Sequence, residues 1–194
     1  MYKESTLLIV LGAIIVGSSG QVVYPGACPE NIKTVESLDL QKYLGSWYEY
    51  AKYPVYFESE GKCVTAKYTL NADNTVKVEN SLVNEKSNVY ENIIGSASVV
   101  APGKLLVKFP VSPAYNVSSN YWVLDTDYEN YATVYSCTPL TNESHATIVW
   151  ILTRAQIPNA AVIDKAANAL KENNISLLPL KITNQISCDD VKHQ

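Results

Sequence analysis

The stretch from Cys63 to Val83, CVTAKYTL NADN TVKVENSLV, holds two alternating runs about a four-residue turn. In the first run Val64, Ala66 and Tyr68 fall on one face and Thr65 and Lys67 on the other. In the second, Val76, Val78, Asn80 and Leu82 oppose Lys77 and Glu79. A period of two belongs to a β-strand with one face in an apolar interior and one in water. Lys67 belongs in water, so Tyr68 faces inward. The same alternation puts Asn80, an amide, inside an apolar interior, where it needs a hydrogen-bond partner. A polar group of a ligand is one candidate partner, and neighbouring backbone is another.

The same rhythm of short apolar runs and turns continues in both directions. Strands are expected at about Ser46–Tyr53, Cys63–Leu70, Thr75–Val83, Val89–Val100, Lys104–Val111, Tyr121–Asp125, Tyr131–Cys137 and Thr147–Thr153. Asn71-Ala72-Asp73-Asn74, Pro102-Gly103 and the stretch from Thr126 to Asn130 supply the turn chemistry. Eight strands joined by short loops describe an all-β, antiparallel up-and-down meander that closes on itself as a barrel. The period changes to three and four only once, at Val162, Ile163, Ala166, Ala167 and Leu170, between a capping Asn159 and Asn173-Asn174. One amphipathic helix packed outside the sheet is therefore predicted, followed by a short strand near Leu180–Thr183.

Composition narrows the partners. Fifteen Lys and Arg against 19 Asp and Glu give a net charge of −4, without the basic excess that nucleic-acid binding requires. Fourteen Tyr and 3 Trp against 2 Phe favour rings with a polar handle, suited to an amphipathic ligand. Lys3, the apolar run Leu7 to Val16 and the small residues Gly17 to Gly20 have the form of a cleaved signal peptide over residues 1–20, leaving 21–194 as a single domain of a secreted protein. The run is half the roughly 20 residues that a membrane-spanning helix needs. In an oxidising compartment, Cys28, Cys63, Cys137 and Cys188 read as two disulfides, and counting alone leaves three connectivities open. Their wide separations argue against a metal site. Asn116, Asn142 and Asn174 each begin a glycosylation sequon.

Three separated motifs lie on this frame: Gly45-Ser46-Trp47 entering the first strand, Thr126-Asp127-Tyr128 at a turn, and Arg154 closing the last strand. Together they resemble the signature regions of the lipocalins. The local sequences Tyr43 to Glu49, Gly61-Lys62-Cys63, Asp125 to Cys137 and Asn173 to Cys188 are similar to the group containing apolipoprotein D, the Lazarillo-type proteins and the insect bilin-binding proteins. This resemblance implies the disulfides Cys28–Cys137 and Cys63–Cys188, and Arg154 packed across Trp47 as a plug of the closed end. It also departs in one place: Pro139 stands where apolipoprotein D carries an additional cysteine.

The resemblance implies a secreted carrier of a small hydrophobic ligand, with function inside the barrel. If Arg154 points inward, alternation carries Leu152, Trp150 and Ile148 with it. Tyr68, Asn80 and Trp150 occupy positions that line the cavity in the group, with Ile148, Tyr121 and Val134 as further lining candidates. Tyr56, in the loop Pro54-Val55-Tyr56-Phe57, is expected at the open mouth, where exposed apolar side chains gate the ligand, touch a lipid particle or membrane surface, or simply fold over the rim. Fatty acids, sterols and other lipids are one ligand class and biliverdin, as a bound chromophore, the other; no cofactor is required for the first. An isomerase of the lipocalin type would need a free pocket cysteine as nucleophile, and a hydrolase a positioned His, where the chain has only His145 and His193. A surface interaction protein acting through its loops is the remaining alternative.

Overall fold

The computed structural model describes residues 21–55, 58, 61–112 and 115–188. The expected signal peptide, Tyr56 and Phe57 lie outside the described residues. Eight antiparallel strands form the barrel: β2 (Gly45–Lys52), β3 (Gly61–Leu70), β4 (Val76–Asn84), β5 (Tyr90–Ala101), β6 (Lys104–Ser112), β7 (Tyr115–Thr126), β8 (Tyr131–Thr141) and β9 (Ser144–Thr153). Each pairs with its neighbour in sequence, and β9 returns to pair with β2, which closes the sheet. Closure leaves no free edge along most of the wall.

Several boundaries differ from the sequence reading, each for a physical reason. β7 starts six residues early, because Asn116 to Asn120 pair with β6 through their backbone although they lack an apolar pattern. On the N-terminal side of Trp122 the β7–β8 ladder stops. There the Asn120 side chain takes over, accepting from Cys137 N at 2.9 Å and donating to Cys137 O at 2.7 Å. The N-terminal segment contributes β1 (Val22–Pro25), a strand added to β9 that is absent from the expected set. A single helical turn, α1 (Leu40–Tyr43), is capped by Asp39 and is too short to leave a periodic signal.

The helix α2 (Ala160–Glu172) matches its predicted span. Asn159 accepts from Val162 N at its start, and Asn173 caps its end. Its buried face is Ala166, Ala169 and Leu170, with Val162 and Ile163 half-buried, so Ala169 rather than Ala167 completes the stripe. It packs on β7 and β8 with Leu124, Tyr131, Tyr135, Val149 and Ile151 beneath it, and Thr133 donates to Ala166 O at 2.9 Å. These residues form one of two apolar clusters. The other fills the lower interior of the barrel with Tyr43, Trp47, Ala66, Tyr68, Val76, Val78, Ala97, Leu105, Val107, Val123, Ala132, Val134 and Leu152. Gly95 belongs to the inward face, and the ring of Phe109 lies where its Cβ would be, 2.6 Å away.

The seam between β2 and β3 is unusual. The two strands pair only over Gly45–Tyr48 and Thr65–Tyr68. Above that, the C-terminal segment is inserted: β10 (Lys181–Ile182) pairs with Lys52 and Ala51, and Gln185 donates to both Glu49 O and Val64 O. Disulfides fasten the extensions to the wall, Cys28–Cys137 with a Cα separation of 6.0 Å and Cys63–Cys188 with 5.7 Å. Val55, expected to be exposed in the mouth loop, is instead buried at 1% exposure. It follows the fully buried Tyr53, whose N–H bonds to Val149 O, so the start of this loop folds onto the wall.

Candidate ligand-binding site

The closed end is built by Arg154 and the backbone around it. Its guanidinium lies 3.7 Å above the Trp47 ring and donates to Ser46 O, Lys42 O, Leu44 O and Tyr128 O at 2.8 to 3.0 Å. Trp47 Nε1 in turn donates to Tyr43 O. A planar cation with five donors suits a ring of converging carbonyls and an aromatic face together. Gly45 makes this approach feasible: it holds φ +92°, and a Cβ there would stand 3.3 Å from the Arg154 Nη1. Thr126 and Asp127 close the β7–β8 turn, Thr126 Oγ1 donating to Tyr131 O and Asp127 accepting from Asn130 N and Tyr131 N. Tyr128 sits at φ +66° with its hydroxyl on Ser37 O. These signature residues shape the floor and do not enter the cavity.

Above the floor, the interior carries a small polar set. Tyr121 Oη is 2.7 Å from Tyr43 Oη and 2.9 Å from Tyr68 Oη. Burial pushes all three phenols up, Tyr68 to about 12, so they are neutral at physiological pH. Three hydroxyls hold three protons and make two mutual bonds, which leaves one donor for a further partner. Tyr43 was not singled out from sequence. It lies beside Gly45 in a motif whose structural role masked it, and its inward aim depends on α1.

Asn80 stands on the same inward face, opposite Ala66 in β3 and Ile93 in β5. Its Oδ1 is buried and has no hydrogen-bond partner among the described residues. Satisfaction by neighbouring backbone, one of the two alternatives for this amide, is therefore not what the geometry shows for that oxygen. The interior nevertheless stays open toward the mouth. Ile93, on the same face, keeps 40% exposure, and Tyr121 and Trp150 are only half-buried although both pack on the interior cluster. Trp150 pairs with Val134, and Ile148 with Ser136, which sets Ile148, Trp150 and Leu152 along one inward line. Val134 is fully buried and belongs to the packed floor.

A charged cluster lies at the mouth end of β2. Lys52 Nζ is 2.9 Å from Glu49 Oε1 and 2.9 Å from Glu58 Oε2, and Thr183 donates to the same Glu49 oxygen. Burial pushes the Glu49 carboxyl up to about 8, assisted by the negative charge of Glu58 and opposed by Lys52. Strict alternation from Trp47 would send Lys52 to the outside. The register shift between Glu49 and Ala51 makes Tyr50 an extra residue, and the slip turns Lys52 to the face of its partner Trp150. Nothing in the local pattern announces that bulge.

The remaining sequence candidates lie outside the cavity. Asn116, Asn142 and Asn174 are all exposed, as glycan acceptors must be. His145 bonds through Nδ1 to Gly26 O under β1, remote from the interior polar set. Among the described residues, no group of His, Cys, Asp and Glu is arranged to hold a metal ion.

Comparison with known proteins agrees with this architecture. Residues 38–185 match the family described as Lipocalin-like domain. Apolipoprotein D of Cavia porcellus is 39% identical over 188 residues, covering 95% of this chain and 96% of the relative, and the Lazarillo protein of Schistocerca americana is 29% identical over all of this chain and 92% of its own length. The solved structure of insecticyanin from the tobacco hornworm Manduca sexta superposes with a TM-score of 0.79 at 29% identity, covering 90% of this chain and 94% of that one. A closed eight-stranded barrel with one outer helix, plugged by an Arg over a Trp, and matched over three quarters of its length by the family model, is a member of the lipocalin family.

Proposed function

We propose that this protein is a secreted carrier that holds a small hydrophobic molecule inside the barrel and performs no chemistry on it. The observation that carries this reading is the buried, unpartnered Asn80 Oδ1 in an interior whose apolar walls remain partly exposed. Leaving a buried acceptor unpaired costs about 1–3 kcal/mol, and a ligand donor recovers that cost while apolar burial supplies most of the affinity. One free tyrosine proton and one free amide oxygen favour a lipid bearing a hydroxyl or N–H group. The similarity to apolipoprotein D over nearly the whole chain supports the lipid class. Pairing of all four cysteines in disulfides and the engagement of His145 with Gly26 support the absence of a nucleophile or base in the cavity. Two disulfides also support secretion, and no helix among the described residues is long and apolar enough to cross a membrane.

The likeness to insecticyanin favours a second reading, in which the same interior holds biliverdin. The residues fit such a group: Asn80 Oδ1 can accept from a pyrrole N–H, and Trp150 offers an aromatic face from another strand of the same interior. The pigment would supply light absorption, and the chain would only bind and orient it. The test is an absorption spectrum of protein purified from its native source, followed by solvent extraction and mass spectrometry. A colourless protein that releases a fatty acid or sterol supports the lipid carrier. A red-end absorption band with a co-purifying tetrapyrrole replaces it with the pigment reading, and a barrel that takes up neither class overturns both.

A further inference from the structure

The Lys52 cluster is not used by any part of the carrier argument. Its ammonium is buried at 8% exposure on a strand position that shares its face with Trp150, so it borders the cavity rather than solvent. Its two counter-groups differ. Glu49 comes from the same strand, is almost wholly buried, and is tied to the C-terminal insert through Thr183. Glu58 comes from the segment after β2, and among the described residues its carboxylate pairs with Lys52. The side chains of Lys52 and Glu58 are each 10% exposed, so this pair is shielded from bulk solvent.

We infer, on the basis of the carrier reading, that Lys52 is an anion-exchange site: the carboxylate of an amphiphilic ligand takes the place of Glu58 on the ammonium, with its hydrocarbon chain running down toward the tyrosine floor. The exchange replaces one carboxylate by another, so the buried cation keeps a partner throughout and the large cost of an unpaired buried charge never arises. The deeper polar groups are unsuited to an anion. Asn80 presents a bare carbonyl oxygen, which repels a carboxylate, and the tyrosine hydroxyls offer a single donor. A carboxylate head therefore belongs at the mouth, and a neutral hydroxyl head has no need of Lys52. Ligands of the two head chemistries are separated by one residue.

The experiment uses the delipidated, disulfide-bonded protein and follows tryptophan fluorescence during titration with oleate and with oleyl alcohol, which share one chain and differ in the head. Replacing Lys52→Met is expected to weaken oleate by about tenfold or more, the scale of a lost charge-assisted hydrogen bond, and to leave oleyl alcohol within about twofold. Glu58→Gln is expected to strengthen oleate, because the competing carboxylate is gone, with the alcohol again unchanged. Glu58→Gln keeps the cation and its deeper partner, so it decides the matter even if Lys52→Met does not fold. Equal effects on both ligands, or no effect of either substitution, overturns the exchange site. Wild-type protein that binds the alcohol but not oleate also overturns it while the carrier reading stands. If neither ligand binds, the carrier reading itself fails and the exchange site goes with it.

Discussion

Asn80 is the residue at which stability and binding oppose each other. Its acceptor is buried and unpartnered, so an isosteric apolar side chain removes a penalty. Asn80→Leu is expected to raise the stability of the empty protein by about 1 kcal/mol in urea unfolding, and to weaken a hydroxyl-bearing ligand by about tenfold in the same fluorescence titration. Unchanged binding would remove Asn80 from the site. Glu49 makes a prediction about pH. Its carboxyl is raised from 4.5 to about 8 in the fold, so the native state holds a proton that the unfolded chain has released. Its contribution is complete below about pH 4.5 and declines as pH rises through about 8. Thermal melts across that window should show falling stability in the wild type and a flatter profile in Glu49→Gln. Asn80 was legible from alternation alone, because β4 keeps its register. Lys52 was not, because the bulge at Tyr50 reverses its face, and Glu49, which shares the face of Trp47, was missed because its partners come from beyond the bulge and from the inserted C-terminal segment.

At the scale of elements, α2 illustrates how far local rules reach. The capping Asn159, the three-and-four spacing and the terminating Asn173 are local signals, and the observed span agrees with them. Asn159→Ala should cost about 1 kcal/mol in urea unfolding, through loss of the bond to Val162 N, without altering ligand titrations. Its docking on β7 and β8 depends instead on Thr133, Tyr135 and Leu124, which come from strands apolar on both faces. Such strands carry no parity that sequence can use, since each face has an apolar layer to meet. The early part of β7 was missed for the opposite reason. Asn116, Ser118, Ser119 and Asn120 are polar, and only hydrogen bonding to β6 makes them a strand.

The whole molecule is a barrel with one weak seam, where β2 and β3 part and the C-terminal segment fills the gap held by Cys63–Cys188. Removing that disulfide as Cys63→Ser with Cys188→Ser is expected to cost about 3 kcal/mol. Hydrogen exchange should then show the amides of Ile182 and Thr183 opening before the rest of the barrel. Cys28–Cys137 fastens β1 to the wall by a different route, so its loss should leave those two amides protected. By itself the sequence determined the number and order of the eight barrel strands, the outer helix, the closing motifs and the inward placement of Tyr68, Asn80 and Trp150. All of these follow from short-range periodicity or from signature residues. Only the tertiary structure decided which groups meet: Tyr43 with Tyr121 and Tyr68, Lys52 with Glu49 and Glu58, and Gln185 across the seam. Those meetings arise from barrel closure, one bulge and one inserted terminus, which join residues far apart in the chain and leave no local pattern to read.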